Sequence, residues 1–181
     1  MLKIDGERVY LRDHKASDLD VFHAWLSDAV VAKYLSWRTY TREESFTHLA
    51  HSINENNANP RTDYFFALVL NENEHIIGEA GFTIQTQTKP GGIAELGYFL
   101  LQSYWGKGYA TEAAKLLIAY CFTVLKLHKV TAGCDVENRA SEKVMINCGM
   151  QQEAYRKKQR LLNGEWRDRL EYALLYDDWK A

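Results

Sequence analysis

Proline is scarce in this chain, two residues in 181, and no low-complexity segment interrupts it, so nothing marks a linker between domains. With 46% hydrophobic residues the chain can bury one sizeable core, and a single domain over residues 1–181 is expected. Long apolar runs are missing. The longest, about Leu116 to Phe122, is far short of the roughly 20 residues of a membrane span. The opening MLKIDGERVYLRDH carries charges throughout and lacks the apolar stretch of a secretory signal, so a cytoplasmic location is expected. Neither sign of charge predominates: 22 basic and 24 acidic residues are mixed along the chain, for a net charge of −2. That balance argues against wholesale binding of DNA or of an anionic membrane. Cysteine is sparse as well. Cys121, Cys134 and Cys148 are odd in number and lack metal-type spacing, which predicts three buried, reduced thiols. His48 and His51 could share a helical face, but no third ligand accompanies them, and no metal is expected.

What is present has clear periodicity. Val9 to Arg12 alternates as a strand, and Ala16 to Ser27 places Leu19, Phe22, His23 and Leu26 on one helical face. Thr41 followed by Glu44 has the form of a capping box, opening a helix to about Asn57. Three strand-like runs follow, Asp63 to Leu70, His75 to Thr86 and Gly92 to Leu100, separated by NENE and KPGG, and predict an antiparallel meander. Apolar residues from Ala110 to Leu125 recur at three and four, so an amphipathic helix is predicted from Tyr109 to Lys126. Lys129 to Asp135 reads as a strand completing a crossover unit, and Asn138 to Asn147 as a shorter helix stopped by Gly149. Met150 to Leu162 and Trp166 to Tyr176 flank Asn163-Gly164, a pair favoured in tight hairpins. The expected class is a mixed α+β fold of about seven strands in the order β-α-α-β-β-β-α-β-α-β-β.

One junction has the makings of a binding site. A strand ending at Leu100, a loop containing Gly106 and Gly108, and a helix starting at Tyr109 would aim several free backbone N–H groups at one point. Such a point attracts phosphate. The loop matches neither the Walker pattern nor the dinucleotide G-x-G-x-x-G, so alone it is also consistent with an ordinary connection.

Its neighbours make it more specific: AELGYFL at 94–100, SYWGKGYATEA at 103–113 and NRASEKVMINCGM at 138–150. Together they resemble the GNAT superfamily of N-acetyltransferases, in particular its RimJ/RimL-like branch of ribosomal-protein N-terminal acetyltransferases. The resemblance covers nearly the whole chain. It implies acetyl-coenzyme A as co-substrate, a primary amine as acceptor, and a sheet splayed between its fourth and fifth strands, Gly92 to Leu100 and Lys129 to Asp135. The family's phosphate-binding pattern Q/R-x-x-G-x-G/A falls on Trp105 to Ala110, with Trp105 in place of the usual Gln or Arg. Backbone groups of Trp105, Gly106, Lys107, Gly108, Tyr109, Ala110 and Thr111 would then face the diphosphate. The pantetheine arm would run along Tyr98, Phe99 and Leu100, next to a bulge for which Gly97 is the cheapest position, and would touch Asn138.

For chemistry, acetyl transfer needs a deprotonated amine, a stabilised oxyanion and a proton for the departing thiolate. A backbone N–H of Tyr98 or Phe99 is the expected oxyanion donor. Many relatives carry a tyrosine where Met145 stands, so the resemblance transfers the acid role to Ser141, the serine three residues after Asn138. Glu95 is the best-placed carboxylate to take the amine proton, directly or through water, while Glu112 suits the helix dipole. Tyr34, Trp37, Tyr40 and Tyr64 are expected to line the acceptor side. The final hairpin carries a basic excess suited either to an acidic partner or to a solvated face. Three functions stay open: an N-acetyltransferase for a peptide N-terminus such as that of a ribosomal protein, one for a small-molecule amine or antibiotic, and a non-catalytic coenzyme-binding module. Either a monomer or a homodimer is compatible with the sequence.

Overall fold

The alternation of apolar residues along the strands puts two different sets of side chains on the two faces of one sheet, and a helical layer covers each face. The computed structural model describes residues 1–34, 39–88, 91–162 and 164–180. The strands are β1 (Lys3–Asp5), β2 (Val9–Asp13), β3 (Asp63–Leu70), β4 (Ile76–Gln87), β5 (Gly92–Leu100), β6 (Lys129–Asp135), β7 (Gln151–Leu162) and β8 (Glu165–Leu175). The helices are α1 (Leu19–Leu26), α2 (Ala29–Ala32), α3 (Arg42–Glu55), α4 (Tyr109–Thr123), α5 (Arg139–Asn147) and α6 (Tyr176–Lys180). Sheet order is β1-β2-β3-β4-β5-β6-β8-β7, with β5 and β6 the parallel pair and the other neighbours antiparallel. Eight strands form where about seven were expected. The extra one, β1, has only three residues and pairs with β2 across the connection at residues 6–8, too short to show a period. Helices α2 and α6, of four and five residues, escaped the sequence reading for the same reason.

Local signals act as the residue types require. Thr41 Oγ1 accepts from the Glu44 N–H at 3.2 Å while the Glu44 carboxylate accepts from the Thr41 N–H at 2.8 Å, so the capping box forms. Helix α4 stops at Thr123, three residues before the expected Lys126. Lys126 takes a φ of 55° and the Leu127 N–H returns to the Cys121 carbonyl at 3.0 Å, which ends the helix without glycine.

On one face Phe82, Ala94, Leu96 and Leu100 pack with Leu117, Ile118, Cys121 and Phe122 of α4 and Met145 of α5. On the other, Phe99 packs with Phe22, Trp25 and Leu26 of α1 and Leu49 of α3. Burying a side chain of this kind is worth about 1.5–3 kcal/mol. All three cysteines are buried and free, as expected. Burial pushes the Cys134 and Cys148 thiols up to about 11.

The split in the sheet is real. The β5–β6 ladder ends at Leu96–Ala132, although β5 continues to Leu100 and β6 to Asp135. Its cause differs from the expectation. No bulge occurs at Gly97, because the β4–β5 ladder is unbroken from Ile84–Ala94 to Gly78–Leu100; the irregularity lies in β4 between Ile84 and Thr86. Strand β6 follows β8 instead, pairing as far as Asp135–Arg169.

Candidate functional site

A cleft of about 390 Å³ opens at this split, lined by residues of β4, β5, β6, α1, α3, α5 and β7–β8. Alternation along β5 assigns its residues to two sides. Tyr98 points toward α5, whereas Glu95, Gly97 and Phe99 point toward α1 and the hairpin, as their register with Thr83, Gly81 and Glu79 of β4 requires. Gly97 has open space where a Cβ would stand, so a side chain there would intrude on the opening.

On the α5 side, the Asn138 side chain caps the helix by accepting from the Ser141 N–H at 3.1 Å. The Tyr98 hydroxyl lies 3.0 Å from the Ser141 carbonyl, to which it donates, and 3.1 Å from Ser141 Oγ. Burial raises the Tyr98 phenol well above its ordinary pKa, so it stays a neutral donor. Met145 is 1% exposed and packs in the core, so the absent tyrosine is replaced by core packing there. A phenol nonetheless stands at this site, carried by β5 instead of α5.

The glycine loop adjoins this side. Gly106 and Gly108 adopt φ of 74° and 84°, and Gly108 caps α4 without a side chain to occupy its first-turn N–H groups. Those of Tyr109, Ala110 and Thr111 therefore have no intrahelical acceptor. Positive φ at Gly108 and uncapped amides are what an anion cradle requires, and the loop fits a diphosphate. Trp105 has a different task from the Gln or Arg it replaces. Its indole N–H donates to the Leu100 carbonyl at 2.8 Å, pinning the loop to the end of β5. Lys107 sits over the Tyr104 ring, and its carbonyl accepts from Arg8 at 3.0 Å. The Glu112 carboxylate accepts from Arg8 Nε at 2.8 Å and from the Arg8 backbone N–H at 2.7 Å. Burial opposes the charge on Glu112, but these bonds outweigh it and lower its pKa. Its role is to tie β2's start to α4.

Across the split, Glu95 lines the cleft with Oε1 2.7 Å from Arg169 Nη2. Arg169 reaches it by lying over Gly133, where a Cβ would fall 2.5 Å from Nη2, so only glycine leaves the guanidinium room there. Glu79, buried in the apolar strand IIGEAGF, also faces the cleft and accepts from His14 Nε2 at 2.8 Å. His14 belongs to a buried set. Arg12 makes a two-pronged bond to Asp18 at 2.7 and 2.8 Å, and Asp18 Oδ2 lies 3.7 Å from His14 Nδ1. Burial works against protonated His14, yet Asp18 and Glu79 outweigh it and raise its pKa. Burial likewise opposes ionised Asp18, but His14, Arg12 and the Lys15 N–H hold its carboxyl far below the usual range. His48 lines the same wall, its ring 6.1 Å from Phe22 and 5.7 Å from Tyr40, with Nδ1 buried and without a hydrogen-bond partner among the described residues. Burial lowers its pKa, Glu79 opposes this, and His51 and His14 add to it, so the ring is neutral at pH 7.

Tyr34 lines the cleft, and Tyr40 is not among its lining residues but packs its ring 5.7 Å from that of His48. Tyr64 does not line it: register with Phe82 turns it to the α4 face, where it stacks on Phe82 at 4.6 Å, and Phe65 takes the cleft position. Trp37 lies outside the described residues. His48 and His51 do not act together. His51 turns to Asp63 at 3.7 Å, and with Glu55 these three bring ligand-type atoms within 4.8 Å of one another, away from the cleft. Glu79, His14, Arg160 and Arg169 were not singled out for the site by sequence reasoning. A lone acid in an apolar strand was the available signal for Glu79. Nothing local signalled that Arg169 crosses Gly133.

A hydroxyl pair on one side of a split sheet, an uncapped helix start beside it and carboxylates on the other side are groups that acyl transfer to an amine can use. The acetyltransferase (GNAT) domain profile matches residues 8–151, and the chain belongs to that family. It is 33% identical over 147 residues to the N-acetyltransferase p20 of Bacillus licheniformis, itself uncharacterised, covering 81% of each chain. It is 30% identical over 116 residues to the ribosomal protein uS5-alanine N-acetyltransferase of Escherichia coli, covering 64% of this chain and 59% of that one. A crystal structure of a GNAT-family acetyltransferase from Bacillus anthracis superposes with a TM-score of 0.86 at 30% identity, covering 97% and 99% of the two chains. The protein is an acetyl-CoA-dependent acetyltransferase.

Proposed function

We propose that the chain acts in the cytoplasm as one RimJ/RimL-like domain over residues 1–181, moving acetyl to a primary amine such as the N-terminus of a ribosomal protein. The observation that carries this reading is the end of the β5–β6 ladder at Leu96–Ala132, with Ser141 and Tyr98 on one side and Glu95 on the other. The likeness to the uS5-alanine enzyme supports the acceptor class. Acetyl-coenzyme A supplies an activated acetyl thioester. The N–H groups from Gly106 to Thr111 hold its diphosphate, and Tyr98, Phe99, Leu100 and Asn138 accompany the arm. Ser141, oriented by Tyr98, gives a proton at Oγ to the departing sulfur and regains one through solvent from the proton that the amine releases. A backbone N–H of Tyr98 or Phe99 faces the developing oxyanion. The amine proton leaves on the acceptor side, where Glu95 lines the cleft and takes it directly or through water.

A small-molecule acceptor is the second reading, favoured by the modest cleft of about 390 Å³. Incubation with acetyl-CoA, ribosomal-protein N-terminal peptides and a panel of small amines tests both, with N-acetylated product followed by mass spectrometry. Acetylated peptide supports the first reading, product with small amines alone supports the second, and coenzyme binding without product would leave only the module.

Gly108→Val tests the cradle. A β-branched residue is strained at φ 84° and disturbs the amides around it. Calorimetry is expected to show coenzyme A affinity weakened by at least about tenfold while the far-ultraviolet spectrum is retained; unchanged affinity would remove the diphosphate from this loop.

A further inference from the structure

The cleft's charges balance except at one residue. Glu79 is matched by His14 at 2.8 Å, Glu95 by Arg169 at 2.7 Å, and Asp135 by Arg167 at 3.1 Å. Arg160 lines the same cleft, half-buried, and its side chain makes no hydrogen bond or ion pair among the described residues. The basic excess of the hairpin thus resolves unevenly. Arg156 pairs with Glu171 at 2.7 Å, Arg167 also with Glu137, and Arg169 with Glu95, while Lys157 and Lys158 are exposed to solvent. Arg160 is the hairpin arginine left over, and it faces inward.

A half-buried guanidinium without a counter-ion is costly to keep. Burial and the like charge of Arg169 both lower the Arg160 pKa, against weaker support from Glu95 and Glu171. Such a group is a ready partner for a planar anion, because its fixed fork of N–H donors matches a carboxylate in a two-pronged bond. The charged groups that act on Arg160 are Arg169, Glu95 and Glu171, which puts it on the acceptor side. Glu95, Thr83 and Gln85 belong to the acceptor side, whereas the uncapped amides of α4 and the Ser141–Tyr98 pair lie on the other. The coenzyme's phosphates have their own cradle there.

We infer that Arg160 selects an acceptor carrying a carboxylate close to its primary amine, as in an amino acid or a peptide with an acidic residue next to its N-terminus. This rests on the acetyltransferase reading above and narrows its substrate class. In the complex the carboxylate supplies the charge that Arg160 lacks, and the amine is left to point toward Glu95 and the split.

The test uses matched acceptors: amino acids against their amides, and peptides with Asp or Glu against Asn or Gln at the second position. The wild type is expected to favour the acid of each pair by at least about tenfold in kcat/KM, mostly through KM. Arg160→Gln should bring that ratio to about twofold or less while rates on the amides and affinity for acetyl-CoA hold. Arg160→Lys should restore part of the preference, since charge returns without the fork. A preference among amino acids only, or among peptides only, identifies the source of the carboxylate and supports the inference either way. Equal rates on acid and amide in an active wild type overturn the inference alone, as does a preference that survives in Arg160→Gln or a loss of acetyl-CoA affinity in that variant. Failure to acetylate any amine overturns the parent reading together with it.

Discussion

Replacing Asp18 with alanine is expected to lower stability by about 3–5 kcal/mol, which for a chain of this size is a fall in melting temperature on the order of 10 °C. The variant leaves Arg12, 8% exposed, and His14, 3% exposed, without the carboxylate both share. It also removes the acceptor for the Lys15 N–H, bonded at 2.8 Å where the first helical turn starts. Calorimetric or spectroscopic melting checks it; a loss below about 1 kcal/mol would show that water compensates this cluster. The pH dependence has two edges of opposite sign. Asp18 is depressed, so its contribution is present above its ordinary 3.8 and is lost as pH falls through the lower folded value. His14 is raised, so its contribution is complete below its ordinary 6.5 and is lost as pH rises through the higher folded value. The wild type is therefore expected to gain most over the variant between about pH 4 and 6.5.

Ser141→Ala is expected to lower kcat by about 100-fold or more while changing affinity for acetyl-CoA by no more than about threefold. The hydroxyl is the group on α5 that meets the split, and its loss leaves the Asn138 cap on the residue-141 N–H in place, since that bond uses backbone. Folding should thus be unaffected. Tyr98→Phe tests the orientation: it deletes the hydroxyl 3.1 Å from Oγ without disturbing the apolar ring contacts. Its effect should be smaller than that of Ser141→Ala, and the double variant should lose less than the product of the two, because both changes remove one unit. Wild-type turnover in Ser141→Ala would take the acid role away from this serine. A double variant whose losses multiply would separate Tyr98 from it.

Most of the fold was legible because its elements are long and periodic. Strands β3, β5 and β6 match their expected limits, and the helix starts at Arg42 and Tyr109 follow from a capping box and a glycine loop. The loop proposed to hold the coenzyme was legible for a related reason: it is a run of consecutive residues, Trp105 to Thr111, and the amides left free at the start of α4 are a property of the backbone. The acceptor side was less so. Its groups come together from β2, β4, β5, α3 and the hairpin, so Glu79 and His14, 65 residues apart, carry no joint signal in one sequence. Tyr64 was misplaced for want of a register, since a shift of one residue exchanges the two faces of a strand. The bulge expected at Gly97 failed on a related point, because β6 can leave β5 by following β8 with no irregularity in β5 itself.

The decisive measurement is the structure of the complex with coenzyme A. Diphosphate oxygens are expected on the N–H groups between Gly106 and Thr111, the arm in the gap beyond Leu96 and Ala132, and the sulfur within hydrogen-bonding reach of Ser141 Oγ. A coenzyme lying elsewhere, or one whose sulfur is turned away from Ser141 and Tyr98, would contradict the proposed site.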